Sequence, residues 1–311
     1  MSRILVSGSI AYDRIMDFAG VFSDHLMPDK LHTLSVSFTV ERLAESFGGT
    51  AGNIAYTLAL LGEQAELAGR VGRDFARYRD FLKEKGVGTD LLEVSSELPT
   101  AAAHIMTDAV NNQIAGFYPG PLSEIWSGEI PADASLGIVS ASSPKDIAKF
   151  TTRYREKGIP FFLDPGQQTI AFSRDEMQSG IKGAAALFCN DYELAVISEK
   201  TGWSEEELAR QVAALVVTLG AQGARIRSNG EVIRVDAVEV GHIVDPTGAG
   251  DAHRAGFAKG FLAKLPLKVC GQLASTVAAY AVETRGTQNH RFTMDELRER
   301  YHKAFGETLS I

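Results

Sequence analysis

The run Asp245-Pro246-Thr247-Gly248-Ala249-Gly250-Asp251-Ala252-His253-Arg254-Ala255-Gly256-Phe257 constrains the chain most, because it joins a glycine loop, a helix start and one carboxylate. Pro246 disfavours helix before it, and Gly248 and Gly250 let the backbone turn tightly. The amides of Gly248, Ala249, Gly250 and Asp251 can therefore converge on one point. Beyond the loop Ala255, Ala258, Phe261, Leu262 and Leu265 recur at helical spacing, so the loop reads as a helix N-terminus whose partial positive charge favours phosphate. A carboxylate beside such a site repels phosphate, so Asp251 asks for a chemical reason. Taking the proton from a hydroxyl that attacks the phosphate is one. The plainer alternative for this run alone is a capped surface helix with Asp251 complementing the dipole.

The remaining chain supplies a framework for such a loop. Apolar strand-like runs at residues 4–7, 66–71, 136–140, 160–163, 185–189 and 215–219 alternate with helical patterns at 75–85 and 145–157, which Gly86 and Gly158 stop. This rhythm predicts an α/β fold with a mostly parallel sheet and helices on both faces. No repeat, low-complexity run or Pro/Ser-rich linker divides the 311 residues, which read as one domain. Ligands of open α/β sheets lie beyond the carboxyl ends of strands, which places Ser9 and Asp13, just past the first run, within reach of one. A loop aspartate satisfied by nearby amides is the competing account of Asp13.

The rhythm lapses twice. Between residues 14 and 45, the run Ser35-Val36-Ser37-Phe38-Thr39-Val40 alternates polar and apolar, which predicts a half-exposed strand. Between 100 and 118, the segments 103–107 and 113–117 flank residues 108–112 in the manner of a hairpin. The two insertions can pair into a small sheet that covers the ligand cleft and keeps water out, or form a dimer contact. His104, with no partner motif, reads as a packed structural residue.

A second glycine loop, Phe47-Gly48-Gly49-Thr50-Ala51-Gly52-Asn53, feeds a helix marked by Ile54, Leu58 and Leu61 and closed by Gly62. Its glycines suit close approach of backbone to ligand or of helix to sheet, and Asn53 offers a donor and an acceptor to hydroxyls. It lacks the Gly-x-Gly-x-x-Gly spacing of a dinucleotide fingerprint, and the chain has no Gly-Lys pair of a P-loop. The 245–251 loop is then the phosphate cradle. Asn190-Asp191-Tyr192-Glu193 marks a strand-to-helix passage, where Asn190 and Glu193 either form a capping box or hold waters around magnesium. Thr218-Leu219-Gly220-Ala221-Gln222-Gly223 suits a turn under a nucleotide phosphate or ribose, or a plain hairpin turn into 224–227.

Composition narrows the partners. With 45% apolar and 23% charged residues the chain has the balance of an ordinary soluble globular protein, and its net charge of -8 argues against nucleic acid or an anionic membrane. A local helix terminus holds phosphate whatever the global sign. Cys189 and Cys270 lie far apart without metal-like spacing, and no secretory signal pattern occurs, which predicts a reduced, cytoplasmic protein. No apolar run approaches the roughly 20 residues that span a bilayer.

The two glycine motifs, Gly48-Gly49-Thr50-Ala51-Gly52-Asn53 and Asp245-Pro246-Thr247-Gly248-Ala249-Gly250-Asp251, with Asn190-x-x-Glu193 and Thr218-Leu219-Gly220 between them, resemble the ribokinase-like (PfkB) kinases over essentially the whole chain. Segments 9–13, 32–38, 117–120, 190–193 and 200–204, with Asp164-Pro165-x-Gln167-Gln168, look most like bacterial adenosine kinases of the mycobacterial type. The resemblance implies a ribokinase-like three-layer α/β/α sandwich with a small β-sheet lid formed by insertions at about 14–46 and 99–122. It implies transfer of the γ-phosphate of ATP, with Mg2+, to the 5'-hydroxyl of adenosine. Asp251 would be the base, and the amides of Gly248, Ala249 and Gly250 would stabilise charge on the phosphoryl group. Asp13, Gly49 and Asn53 would bind the ribose hydroxyls, with Ser9, Ser37, Phe117, Gln167 and Gln168 around the nucleoside. Asn190, Thr218, Gly220 and Gly223 would line the ATP side, and Asn190 and Glu193 would organise magnesium through water. Asp245, Thr247 and the backbone near Gly286 match a region that binds a monovalent cation such as K+ in some relatives.

Ala103 departs from the pattern, standing where the mycobacterial-type enzymes carry a Phe that can stack on the purine. That keeps a sugar or another nucleoside open as acceptor. Phe117 and the two glutamines favour a nucleoside over a bare sugar. Asp251 with its glycines speaks against a third reading, a catalytically silent nucleoside-binding protein.

Overall fold

Each buried strand carries apolar residues toward both faces, and helices cover each face. The structure, a computed structural model, describes residues 3–110 and 112–311; Met1, Ser2 and Asn111 lie outside the described residues, the last within the 108–112 segment expected to join the hairpin. In chain order the first part contains β1 (Arg3–Ser7), β2 (Ala11–Asp17), β3 (Arg42–Gly48), α1 (Thr50–Leu60), β4 (Gln64–Val71), α2 (Ala76–Glu84) and β5 (Gly88–Val94). There follow β6 (Ala101–Thr107), β7 (Gln113–Tyr118), β8 (Ala134–Val139), α3 (Pro144–Lys157), β9 (Phe161–Leu163), α4 (Arg174–Ile181), β10 (Ala186–Asn190), α5 (Asp191–Thr201) and α6 (Glu205–Gln211). The last part is β11 (Leu215–Thr218), β12 (Ala224–Ser228), β13 (Glu231–Val235), α7 (Ala249–Leu262), α8 (Leu267–Val282) and α9 (Met294–Phe305).

The large sheet runs β13-β12-β11-β10-β9-β8-β1-β4-β5, parallel from β5 to β11, with β12 and β13 added antiparallel at one edge. Alternation along each strand divides the core. Ile4, Val6, Ile138, Phe162, Phe188 and Val216 pack with α1, α7 and α8, while Leu5, Val139, Leu163, Leu187, Cys189 and Val217 pack with α3, α4 and α5. The result is the expected α/β/α sandwich. Helices α4, α5, α6 and α9 each start with a formed capping box, which satisfies two otherwise orphaned amides. Strand order reverses beside β1, whose neighbours are β4 and β8, so a crevice opens at the carboxyl edge there.

The two insertions pair with each other in a separate sheet, β3-β2-β6-β7. Three local expectations change. Ser35 to Val40 is not a strand: residues 34–40 have no regular structure, and the pairing strand is β3. Alternation alone does not make a strand without a ladder to join. Asp13 is not in a loop: Ala11–Asp17 forms β2, between β3 and β6. His104 is exposed on β6 rather than packed. No helix among the described residues is long and apolar enough to cross a membrane.

Candidate active site

The first glycine loop brings the small sheet onto the large one. Gly49 adopts φ 85° at the start of α1, where a Cβ would meet the Ser9 carbonyl oxygen at 2.5 Å and the Ala11 nitrogen at 2.7 Å. Only glycine fits that approach. A side chain at Gly48 would collide with the Asp13 carboxylate, so the loop leaves that group its place. Register then sets Ser46, Asp13, Ala103 and Phe117 side by side across β3, β2, β6 and β7. Paired residues of neighbouring strands share a face, so this row presents a carboxylate, a methyl and an aromatic ring together. Burial first, and then the charge of Asp245, pushes the Asp13 carboxyl up to about 6. Among the described residues it accepts no hydrogen bond, which leaves both oxygens for a ligand.

Asp251 lies in the first turn of α7 and is 7% exposed. Its Oδ2 accepts a hydrogen bond from Asn53 Nδ2 at 2.8 Å, and Asn53 Oδ1 accepts one from Gln288 Nε2 at 2.9 Å. Each polar end of Asn53 thus makes one hydrogen bond within the protein, tying it to Asp251, with one N–H and one lone pair outside these bonds. Arg254 Nη1 stands 3.7 Å from Asp251 Oδ1 and its guanidinium pairs with the buried Asp164. Burial raises the Asp251 carboxyl to about 6, opposed by Arg254 and the Asn53 hydrogen bond. Such a group is mostly ionised at pH 7 yet basic enough to take a proton.

The loop before it is set by Asp245. Its Oδ1 accepts from the Thr247 amide and its Oδ2 from the Gly286 amide, both at 2.9 Å, so both carboxylate oxygens of Asp245 are engaged by the protein. Gly248, at φ 79°, begins α7 without any side-chain cap. Among the described residues the amides of Gly248, Gly250 and Asp251 have no protein acceptor, whereas the Ala249 amide donates to the Pro246 carbonyl at 3.2 Å. The expected four-amide convergence is thus three, because the turn itself uses Ala249. Three free amides at a helix N-terminus form an anion site.

Beyond these amides lies a cavity of about 560 Å³, walled by Thr218, Gly220, Gly223, Pro246, Gly250 and His253, with an apolar side from Val238, Val240 and Ile243. Its mostly apolar lining suits a heteroaromatic group. Burial lowers the His253 ring to about 3, so it is neutral, and neither ring nitrogen has a protein partner. Asp251 thus stands at the N-terminus of α7, whose amide loop borders this cavity, and bonds Asn53 in the first turn of α1, the helix that follows Gly48 and Gly49 beside Asp13.

The other expected residues divide. Ser9 Oγ accepts from the Thr50 amide at 2.9 Å and so anchors α1. Gln167 and Gln168 lie on the turn after β9, following Asp164. Ser37 is in the irregular exposed segment, and Phe117 is 50% exposed on the edge strand. Asn190 and Glu193 form the capping box: Glu193 Oε2 accepts from the Asn190 amide at 2.9 Å and Asn190 Oδ1 from the Glu193 amide at 2.7 Å. The turn at Gly220 to Gly223 is the connection of the β11–β12 hairpin. The sequence assigns no role to Arg254, to Gln288 or to Asp164, although Asp164 stands in the recognised 164–168 segment. Arg254 lay inside the recognised helix, but only tertiary contact reveals its partner.

Residues 2–293 match the family model of the pfkB family carbohydrate kinases. A nucleoside kinase of Methanothermobacter thermautotrophicus is 32% identical over 310 residues, covering 97% of this chain and 96% of its own length. The structure of a Burkholderia thailandensis nucleoside kinase in complex with inosine is 35% identical, with a TM-score of 0.89, over 98% of this chain and all of that one. A Methanocaldococcus jannaschii nucleoside kinase, described as an archaeal member of the ribokinase family, superposes with a TM-score of 0.89 at 28% identity over 97% of this chain and 99% of its own. With its α/β/α sandwich, its amide loop and the carboxylate beside it, the chain belongs to the pfkB family of carbohydrate kinases, phosphotransferases that act on a hydroxyl acceptor.

Proposed function

We propose that this chain is an ATP-dependent nucleoside kinase that transfers the γ-phosphate to the 5'-hydroxyl of a nucleoside. One observation carries the reading: Asp251 is held by Asn53 beside three unoccupied amides, with a cavity for a nucleotide bordering the amide loop and the Asp13 row beyond Asn53. Asp13 accepts hydrogen bonds from the ribose hydroxyls. Asp251 takes the proton of the attacking hydroxyl through Oδ1, the oxygen Asn53 leaves free. The amides of Gly248, Gly250 and Asp251 hold the phosphoryl oxygens as charge shifts toward the leaving phosphate. Magnesium bound with ATP would neutralise phosphate charge. Glu193 keeps Oε1 outside its capping bond for a metal-bound water, which fits a cation that retains much of its hydration.

Adenosine is one acceptor within a wider nucleoside range. Ala103, between Asp13 and Phe117, leaves space where a stacking ring would select one base, and a relative's structure holds inosine. A sugar kinase is the weaker reading, because the row ends in an exposed aromatic ring suited to a flat base. The test is a panel of purine and pyrimidine nucleosides and pentoses assayed with ATP: nucleosides should be phosphorylated with higher kcat/KM than ribose. Ribose as the preferred acceptor would overturn the reading. The monovalent-cation expectation at Asp245, Thr247 and Gly286 is checked by the same assay with K+ replaced by an organic cation, where a lost rate supports it.

A further inference from the structure

Burial removes water from the reacting centre and with it the usual means of keeping a carboxylate charged. Asp164, at the end of β9, is buried; one oxygen pairs with the Arg254 guanidinium and the other accepts the Gly166 amide at 3.1 Å. The Arg254 side chain is 13% exposed, and a Cβ on Gly250 would meet its Nη1 at 2.5 Å, so the guanidinium runs directly beside the amide loop. From there Nη1 reaches to 3.7 Å of Asp251 Oδ1. That separation is too long for a strong hydrogen bond but close for two charges in a buried setting.

We propose that Arg254, clamped by Asp164, is a positioning residue that keeps the Asp251 carboxylate charged while leaving Oδ1 free to receive the acceptor's proton. A direct hydrogen bond would occupy that oxygen, and a more distant cation would leave it to be neutralised by burial. The groups facing Asp251 are Asp13 from β2, Asn53 from α1, the Tyr78 hydroxyl from α2, Asp164 from the end of β9 and Arg254 from its own helix. Glu193, from α5, acts on Arg254. Arg254 is the one cation in this set, and the largest influence opposing the effect of burial on Asp251. The clamp also joins the base to the turn that carries Gln167 and Gln168, two residues beyond Gly166 at the furthest.

The inference rests on Asp251 being the base, and the experiment separates the two. The acid limb of kcat/KM for the nucleoside, at saturating ATP, is followed in purified variants. Arg254→Gln should move the limb to higher pH by about one unit, the loss of one neighbouring opposite charge, while Arg254→Lys leaves it near its original place. Asp164→Asn should move it to lower pH, since Asp251 loses a like charge and Arg254, released from its clamp, is left with Asp251 and Glu193 as acidic partners. This opposite shift answers the question if Arg254→Gln does not fold. Because Arg254 acts through Asp251, adding Arg254→Gln to Asp251→Asn should cause no further loss of rate. A limb unmoved in Arg254→Gln, a limb moved upward in Asp164→Asn, or a full additional loss in the double variant overturns the proposal. Undiminished turnover in Asp251→Asn alone would remove the base and the inference together.

Discussion

The two sheets solve opposite problems with the same pleated geometry. In the nine-stranded sheet Ile4, Leu5 and Val6 are fully buried and helices close both faces, so the loops of the candidate site hang from a closely packed frame. In the four-stranded sheet every residue of β7 is exposed, and few of its side chains join a core. The large sheet and its helices carry the proposed proton acceptor and the proposed phosphate amides, where a small misplacement would cost rate. The small sheet carries the row proposed to meet the acceptor, where adaptability would set which molecule is accepted. Asp13 belongs to the second, but β3 beside it runs directly through Gly49 into α1, whose Asn53 bonds Asp251, so its row is tied to the frame.

The largest expected effect lies on the rigid side. Asp251→Asn should keep ATP and nucleoside affinity yet lose at least roughly 10²-fold in turnover, the lower range for a positioned general base. The native rate should report the same group. Because the Asp251 carboxyl is raised to about 6, its charged form prevails above that pH, and turnover should fall as pH drops below 6 rather than near 4. A profile flat down to pH 5 would break this assignment.

Stability contrasts the sheets next. Phe188, 1% exposed on β10 against Phe257 of α7, should cost about 3–5 kcal/mol when changed to Ala, measured by denaturant unfolding. Phe117→Ala should change stability by no more than about 0.5 kcal/mol while raising the nucleoside KM. Equal destabilisation at both positions would erase the distinction between frame and cover.

Smaller effects sharpen the recognition side. Asp13→Ala should weaken the acceptor by about 1.5–3 kcal/mol, the range for hydrogen bonds to a charged group, with the ATP KM unchanged. Equal losses for both substrates would assign Asp13 to structure. Ala103→Phe, filling the gap between Asp13 and Phe117, should shift kcat/KM toward purines over pyrimidines by about 0.5–1.5 kcal/mol, the worth of an added aromatic pair. No change in the purine-to-pyrimidine ratio would mean the row does not contact the base.

Much of this was written locally. Apolar alternation and glycine stops marked the parallel strands and their helices, and the run from Asp245 to Asp251 announced an anion site with a carboxylate beside it. Local alternation also misled. Ser35 to Val40 has a strand's pattern without a strand's neighbour, while Ala11 to Asp17 gained its ladder from residues 42–48 and 101–107. The Asn190 to Glu193 run satisfied a helix terminus as its capping pattern allowed.

Sequence by itself determined the layered α/β frame, the two glycine loops and the acidic residues worth watching, because periodicity and backbone permissiveness are properties of adjacent residues. The tertiary structure alone decided that Asn53 grips Asp251, that the Ala249 amide closes a turn, and that Arg254 joins Asp164 to Asp251. Those contacts link positions far apart in the chain, and burial and charge become strong only once folding removes the water between them.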